Sequence, residues 1–165
     1  MAEPLAVLLL PRRLEEFELA AHARDLLQIP RAVALEPPRV ATLGFLADVV
    51  ATRNARRLRF PGKPRVIVLY DPRQYPLARA LGSRYQEAEL WYARPDRSAV
   101  QASGERRLGE LLAFDERAAE RASGVLVATA GADPRLENEP LRRRLRELEV
   151  ISSRAFVPGA RIHYG

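Results

Sequence analysis

Six short apolar runs, separated by stretches of helical character, constrain this chain more than any other feature. They cover residues 4–10, 32–35, 65–70, 89–92, 124–129 and, more weakly, 154–157. The first, third and fifth are continuously apolar rather than alternating, which is how strands read when both faces of a sheet are covered. Between the runs, helical periodicity predicts five helices. Leu14, Phe17, Ala20 and Ala21 share a face within 12–28, and Leu43, Leu46, Ala47 and Val50 share one within 41–58. Leu77, Ala78 and Leu81 mark a short helix ending near Gly82. Leu108, Leu111, Leu112, Ala118, Ala119 and Ala122 mark a longer one closed before Gly124. Leu141, Leu145 and Leu148 mark the last, with Pro140 near its first turn. Alternating strands and helices argue for a parallel sheet wound on both faces by right-handed crossovers. The expected fold is α/β: a three-layer Rossmann-like sandwich with a mainly parallel sheet of five or six strands, one domain over residues 1–165.

Composition removes several chemistries. The chain has no cysteine, so disulfides, thiolate nucleophiles and Cys-type zinc sites are excluded. Its two histidines, His22 and His163, lie far apart, so no metal and no cofactor is expected. No apolar run approaches the about 20 residues of a membrane span. The start, Met1-Ala2-Glu3-Pro4, lacks the basic region of a signal peptide. A cytoplasmic protein, in one reading peripheral at a membrane, is expected.

The net charge of +6 is unevenly placed: residues 51–100 hold eleven basic groups against four acidic ones. Of the 27 basic residues only Lys63 is not arginine, so the high pI reads first as arginine bias. Arg53, Arg56, Arg57, Arg59, Lys63 and Arg65 nevertheless cluster. The first three fall on one side of a helix whose other side carries Leu46, Ala47 and Val50. Such a face is either simply solvated or a contact for a polyanion, of which an anionic membrane surface is one. Nucleic acid is disfavoured, because no aromatic residue is interleaved with the arginines. Glu110, Asp115, Glu116 and Glu120, interleaved with Arg117 and Arg121, read as a solvated ion-paired face. The run Arg142, Arg143, Arg144 and Arg146, balanced by Glu139, Glu147 and Glu149, reads the same way.

In a sheet of this kind ligands approach the carboxyl ends of the strands. The first exit reads Leu-Pro-Arg-Arg-Leu-Glu-Glu and has no glycine, so a G-x-G-x-x-G dinucleotide loop is excluded. Gly62-Lys63 lacks the rest of a Walker A loop, and no G-x-S-x-G elbow exists. The second exit offers Glu36-Pro37-Pro38, the third Tyr70-Asp71-Pro72-Arg73-Gln74-Tyr75, the fourth Arg94 and Asp96, and the fifth Thr129. A carboxylate beside an arginine, as at Asp71 and Arg73, suits a polyol or an acceptor hydroxyl. The alternative is a rigid turn in which Asp71 caps the helix that follows.

The order of these features resembles the N-terminal half of a two-domain glycosyltransferase of the GT-B type. Several segments carry the resemblance. Pro30-Arg31-Ala32-Val33-Ala34-Leu35-Glu36-Pro37-Pro38 is a strand ending in an acidic residue and prolines. Val66-Ile67-Val68-Leu69-Tyr70-Asp71-Pro72 is a strand ending in an aromatic and a proline turn. Glu89-Leu90-Trp91-Tyr92 is a strand with Asp96 beyond it. Residues 118–129 match a helix, a short turn and a strand ending in Thr, although Ser123 stands where the family has Asp. Phe156-Val157-Pro158-Gly159 is similar to the motif that ends the family's first domain. The resemblance implies an acceptor-binding domain that works with a C-terminal sugar-nucleotide-binding domain supplied in cis or trans. Its acceptor is a small molecule, a glycan or a lipid, with Glu36, Arg73, Asp96 and Thr129 as substrate contacts and Asp71 as the base that deprotonates the hydroxyl. The competing expectations are a non-catalytic Rossmann-like binding or partner module and, behind it, a nucleic-acid-associated protein that uses the arginine cluster.

Overall fold

A computed structural model describes residues 6–10, 32–35, 44, 46–60, 62–94, 101, 106–127 and 138–155. In chain order its elements are β1 (Ala6–Leu9), β2 (Ala32–Leu35), α1 (Ala47–Arg57), β3 (Val66–Leu69), a 3-10 turn η1 (Pro72–Gln74), α2 (Tyr75–Arg84), β4 (Glu89–Ala93), α3 (Leu108–Arg121), β5 (Gly124–Leu126) and α4 (Glu139–Ala155). The sheet has the order β2-β1-β3-β4-β5 and every pairing in it is parallel. The protein is therefore α/β with a parallel sheet, Rossmann-like in coarse terms. The chain steps from β1 outward to β2 and then returns to the other side of β1 as β3, so the order reverses between β1 and β3. Leu9 lies opposite both Leu35 and Leu69, and Leu69 lies opposite Tyr92. This register brings the exits of β2, β1, β3 and β4 level along one rim.

Both faces of the sheet are covered at β1 and β3, which explains why these strands read as continuous apolar runs, whereas in the equally apolar run of β5 Val125 is exposed. On one face Val7, Leu9, Ile67, Leu69 and Tyr92 pack with Ala51 and Ala55 of α1, Leu77, Ala78 and Leu81 of α2, and Phe114 and Ala118 of α3. On the other, Leu8, Val66, Val68 and Trp91 pack with Leu126 and with Leu141, Leu145 and Leu148 of α4. Each fully buried Leu or Val side chain contributes on the order of 1.5–3 kcal/mol. These two apolar layers hold the rim rigid.

Four details depart from the sequence reading. The helix expected over 41–58 begins only at Ala47. It is preceded by Gly44 at φ +111°, a conformation that glycine adopts without strain. Its buried stripe is Ala47, Ala51 and Ala55, while Leu46 is half exposed. Alanines win because a small i, i+4 stripe lets α1 approach α2 closely, which larger side chains prevent. The helix of Leu77 and Leu81 runs through Gly82 to Arg84, since a single glycine costs only about 1 kcal/mol in a helix. The sixth strand is not formed as expected: Arg154 and Ala155 are helical and end α4. The remainder of that run and the helix expected over 12–28 lie outside the described residues.

Candidate functional site

The rim at the exits of β1, β3 and β4 gathers the buried polar groups of the sheet. Beyond β3 the chain turns at Asp71, which is 2% exposed. Its Oδ1 accepts from the Arg73 backbone N–H at 2.9 Å and its Oδ2 from Arg73 Nη1 at 3.2 Å. This is the capping reading: a carboxylate accepts an orphan amide of the first turn, and Pro72 presets the backbone there. With both oxygens engaged and almost no exposed surface, the carboxylate fixes the turn that leads into α2.

That turn aims Gln74 across the sheet. Gln74 Nε2 donates to the Leu10 carbonyl at 2.8 Å, so its side chain bridges the exits of β3 and β1 at the point where the strand order reverses. The bond assigns the amide: Nε2 must face Leu10 O, which leaves Oε1 as an acceptor. Gln74 is 2% exposed, and Oε1 is buried without a hydrogen-bond partner among the described residues. Leaving a buried acceptor unpaired costs about 1–3 kcal/mol.

At the exit of β4 a second carboxylate is buried. Asp115, from the middle of α3, is 3% exposed. Its Oδ1 accepts from the Tyr92 hydroxyl at 2.7 Å, and Arg94 binds both its oxygens through Nε and Nη2, the latter at 2.6 Å. Burial, then the Asp115 contact, pushes the Tyr92 phenol far above its ordinary range. The hydrogen bond to Asp115 holds the Arg94 guanidinium above its ordinary value. Asp115 was expected on a solvated face. The structure corrects this: Leu111, Phe114, Asp115 and Ala118 form one i, i+3, i+4, i+7 stripe, and all four are buried. That stripe was the signal in the sequence, masked by the alternation of charges around it. Glu110 is also engaged, accepting from the Gly44 N–H at 2.8 Å.

Of the sequence-derived candidates, Asp71 and Arg73 come together at the rim. Glu36, Asp96 and Thr129 lie outside the described residues. Arg53, Arg56, Arg57, Arg59 and Lys63 are exposed, the first three on α1 and the others beyond it. Among the described residues none of the five forms an ion pair. Arg144, expected to be solvated, instead reaches back to Glu89 on β4. Gln74 appeared in the sequence only as one polar residue of a turn. Its reach to Leu10 follows from strand order, which periodicity does not encode. Among the described residues no group of three or more His, Asp or Glu is placed to hold a metal ion, and no helix is long and apolar enough to cross a membrane. Comparison with protein-family models, with curated proteins and with solved structures found no match.

Proposed function

We propose that this chain is the acceptor-binding half of a glycosyltransferase-like enzyme, taking a hydroxyl-bearing acceptor at the rim between β1 and β3. The observation that carries this reading is the unpaired Oε1 of Gln74 at the reversal of strand order, where α/β sheets of this kind bind their ligands. A buried carbonyl oxygen needs a donor. A sugar or polyol hydroxyl supplies one, and a phosphoryl oxygen does not. Asp71 and Arg73 serve the site in this reading by setting the turn from which Gln74 reaches. The donor sugar nucleotide belongs to a second domain, as in the family the sequence resembles.

A non-catalytic binding module is the second reading, and it has its own support. The two described rim carboxylates, Asp71 and Asp115, are each clasped by an arginine, so neither stands open to take a proton from a bound hydroxyl.

Titration of the chain with methyl glycosides and myo-inositol, followed by amide NMR, tests the proposal. The expected result is perturbation of residues 70–74 by the neutral polyols, none by UDP-glucose alone, and loss of the response in Gln74→Met. Absence of any polyol response at 70–74 overturns it. Sugar transfer by the full gene product supplied with a nucleotide sugar separates the transferase from the binding module.

A further inference from the structure

We infer that the groove between α1 and α2 is a second binding site, specific for the phosphoryl group of a small soluble phosphomonoester. The two helices are brought together by the Ala51 and Ala55 stripe, and the groove outside that contact encloses about 510 Å³. Its polar lining is Asp48, Thr52 and Arg56 from α1, with Arg79, Ser83 and Arg84 from α2. Three guanidiniums thus face one carboxylate.

The arginines are held to different degrees. Arg84 Nη1 donates to the carbonyls of Ala55 and Leu58, the latter at 2.7 Å, and so locks the C-terminal end of α1 against α2. Arg79 pairs with Asp48 through Nη2, but both side chains are about half exposed, so the pair is weak and exchangeable. Arg56 is exposed with no ion pair among the described residues. A tetrahedral dianion seated between Arg56 and Arg79 accepts charge-assisted hydrogen bonds from two guanidinium forks, the geometry arginine is best suited to. The Thr52 hydroxyl lies on the same lining, as does Ser83, whose hydroxyl donates to the Arg79 carbonyl at 3.1 Å.

The shape and chemistry favour this occupant. The groove is concave between two helices, which suits a discrete phosphoryl group better than a plane of lipid head groups. No aromatic side chain lines it, so a nucleic-acid strand would find no stacking surface there. Its positive lining also sets it apart from the rim, whose free group is a neutral acceptor.

Glycerol 2-phosphate, a soluble phosphomonoester, is the probe, titrated at ionic strength held constant with sodium chloride. Glycerol 2-phosphate is expected to raise Tm above the matched chloride control and to perturb the amides of 48–57 and 76–84. Arg56→Gln is expected to keep the ligand-free Tm, because Arg56 is exposed, and to weaken binding by about tenfold, the loss of one charge-assisted contact. Thr52→Val is expected to weaken it less. Gln74→Met is expected to leave it unchanged, so that the rim site and this site fail independently. The inference is overturned by no shift beyond chloride, by equal affinity in Arg56→Gln, or by binding only to phosphatidylserine-containing vesicles.

Discussion

The two ends of β4 carry the same chemical pairing in different surroundings. At its start Glu89 accepts from Arg144 Nε at 2.9 and 3.1 Å, with side chains 23% and 35% exposed. At its end Asp115 accepts from Arg94 through two nitrogens and from the Tyr92 hydroxyl, with the Asp115 side chain only 4% exposed. In both cases a carboxylate meets a guanidinium fork, and in both the bond ties a helix to the strand: α4 at one end, α3 at the other. Exposure decides what each is worth. Water and salt screen the first pair, so it contributes little to stability. In the second the guanidinium is as exposed as in the first, at 33%, but the carboxylate has given up its hydration, so the pair gains little over an apolar core and costs more when one partner is removed. The rim end of β4 is therefore where geometry is enforced, and the opposite end is where helix packing is merely assisted.

The largest expected effect comes from breaking the rim end. Asp115→Ala leaves the Tyr92 hydroxyl buried without its acceptor and Arg94 without its counter-charge, and should destabilise by about 3–4 kcal/mol in urea unfolding. A loss below about 1 kcal/mol, the range of exposed pairs, would erase the contrast between the two ends. Next is Gly124→Ala. A Cβ at Gly124 would collide with the ring of Trp91. Because Trp91 Nε1 also donates to Glu89 at 3.2 Å, its displacement disturbs the exposed end without removing either charge. A cost of about 1–3 kcal/mol is expected from overpacking. Tyr92→Phe should cost about 1 kcal/mol, one hydrogen bond. The raised phenol also makes an alkaline prediction. Above the ordinary tyrosine value of about 10, the unfolded chain loses this proton and the folded chain keeps it, so stability falls as pH rises. In Tyr92→Phe that part of the alkaline slope should be missing.

Much of this contrast could not be read from the sequence. The continuous apolar runs at 4–10 and 65–70 announced buried parallel strands because two covered faces leave no polar alternation. The turn at Asp71-Pro72-Arg73 was legible as a cap because its determinants are local. Asp115 and Arg144 were not legible. Each sits in a helix dense with alternating charges, and its partner is distant in sequence: Arg94 is 21 residues from Asp115, and Glu89 is 55 from Arg144. Helical spacing shows which charges neighbour each other along one helix. It does not show which of them turns inward to meet a strand. Gln74 has the same character, since its partner Leu10 lies 64 residues earlier and only the reversed strand order brings them together.

The smallest expected effect is at the exposed end, and its sign is fixed. The hydrogen bond from Arg144 holds the Glu89 carboxyl below its ordinary value of 4.5, against the opposing pull of partial burial. A carboxylate whose folded value is depressed stabilises the fold above the unfolded value and loses that contribution as pH falls through the folded one. Unfolding free energy should therefore drop as pH is lowered below about 4.5, the unfolded carboxyl beginning to bind protons that the folded one still refuses. Arg144→Gln removes the dominant cause, so it should flatten this part of the acid limb while costing no more than about 1 kcal/mol at neutral pH, a difference that added salt should shrink further. An Arg144→Gln protein that kept the full acid slope would mean that the Trp91 Nε1 hydrogen bond, with Arg65 behind it, holds the carboxylate instead. The exposed end would then be anchored within the sheet and not by α4.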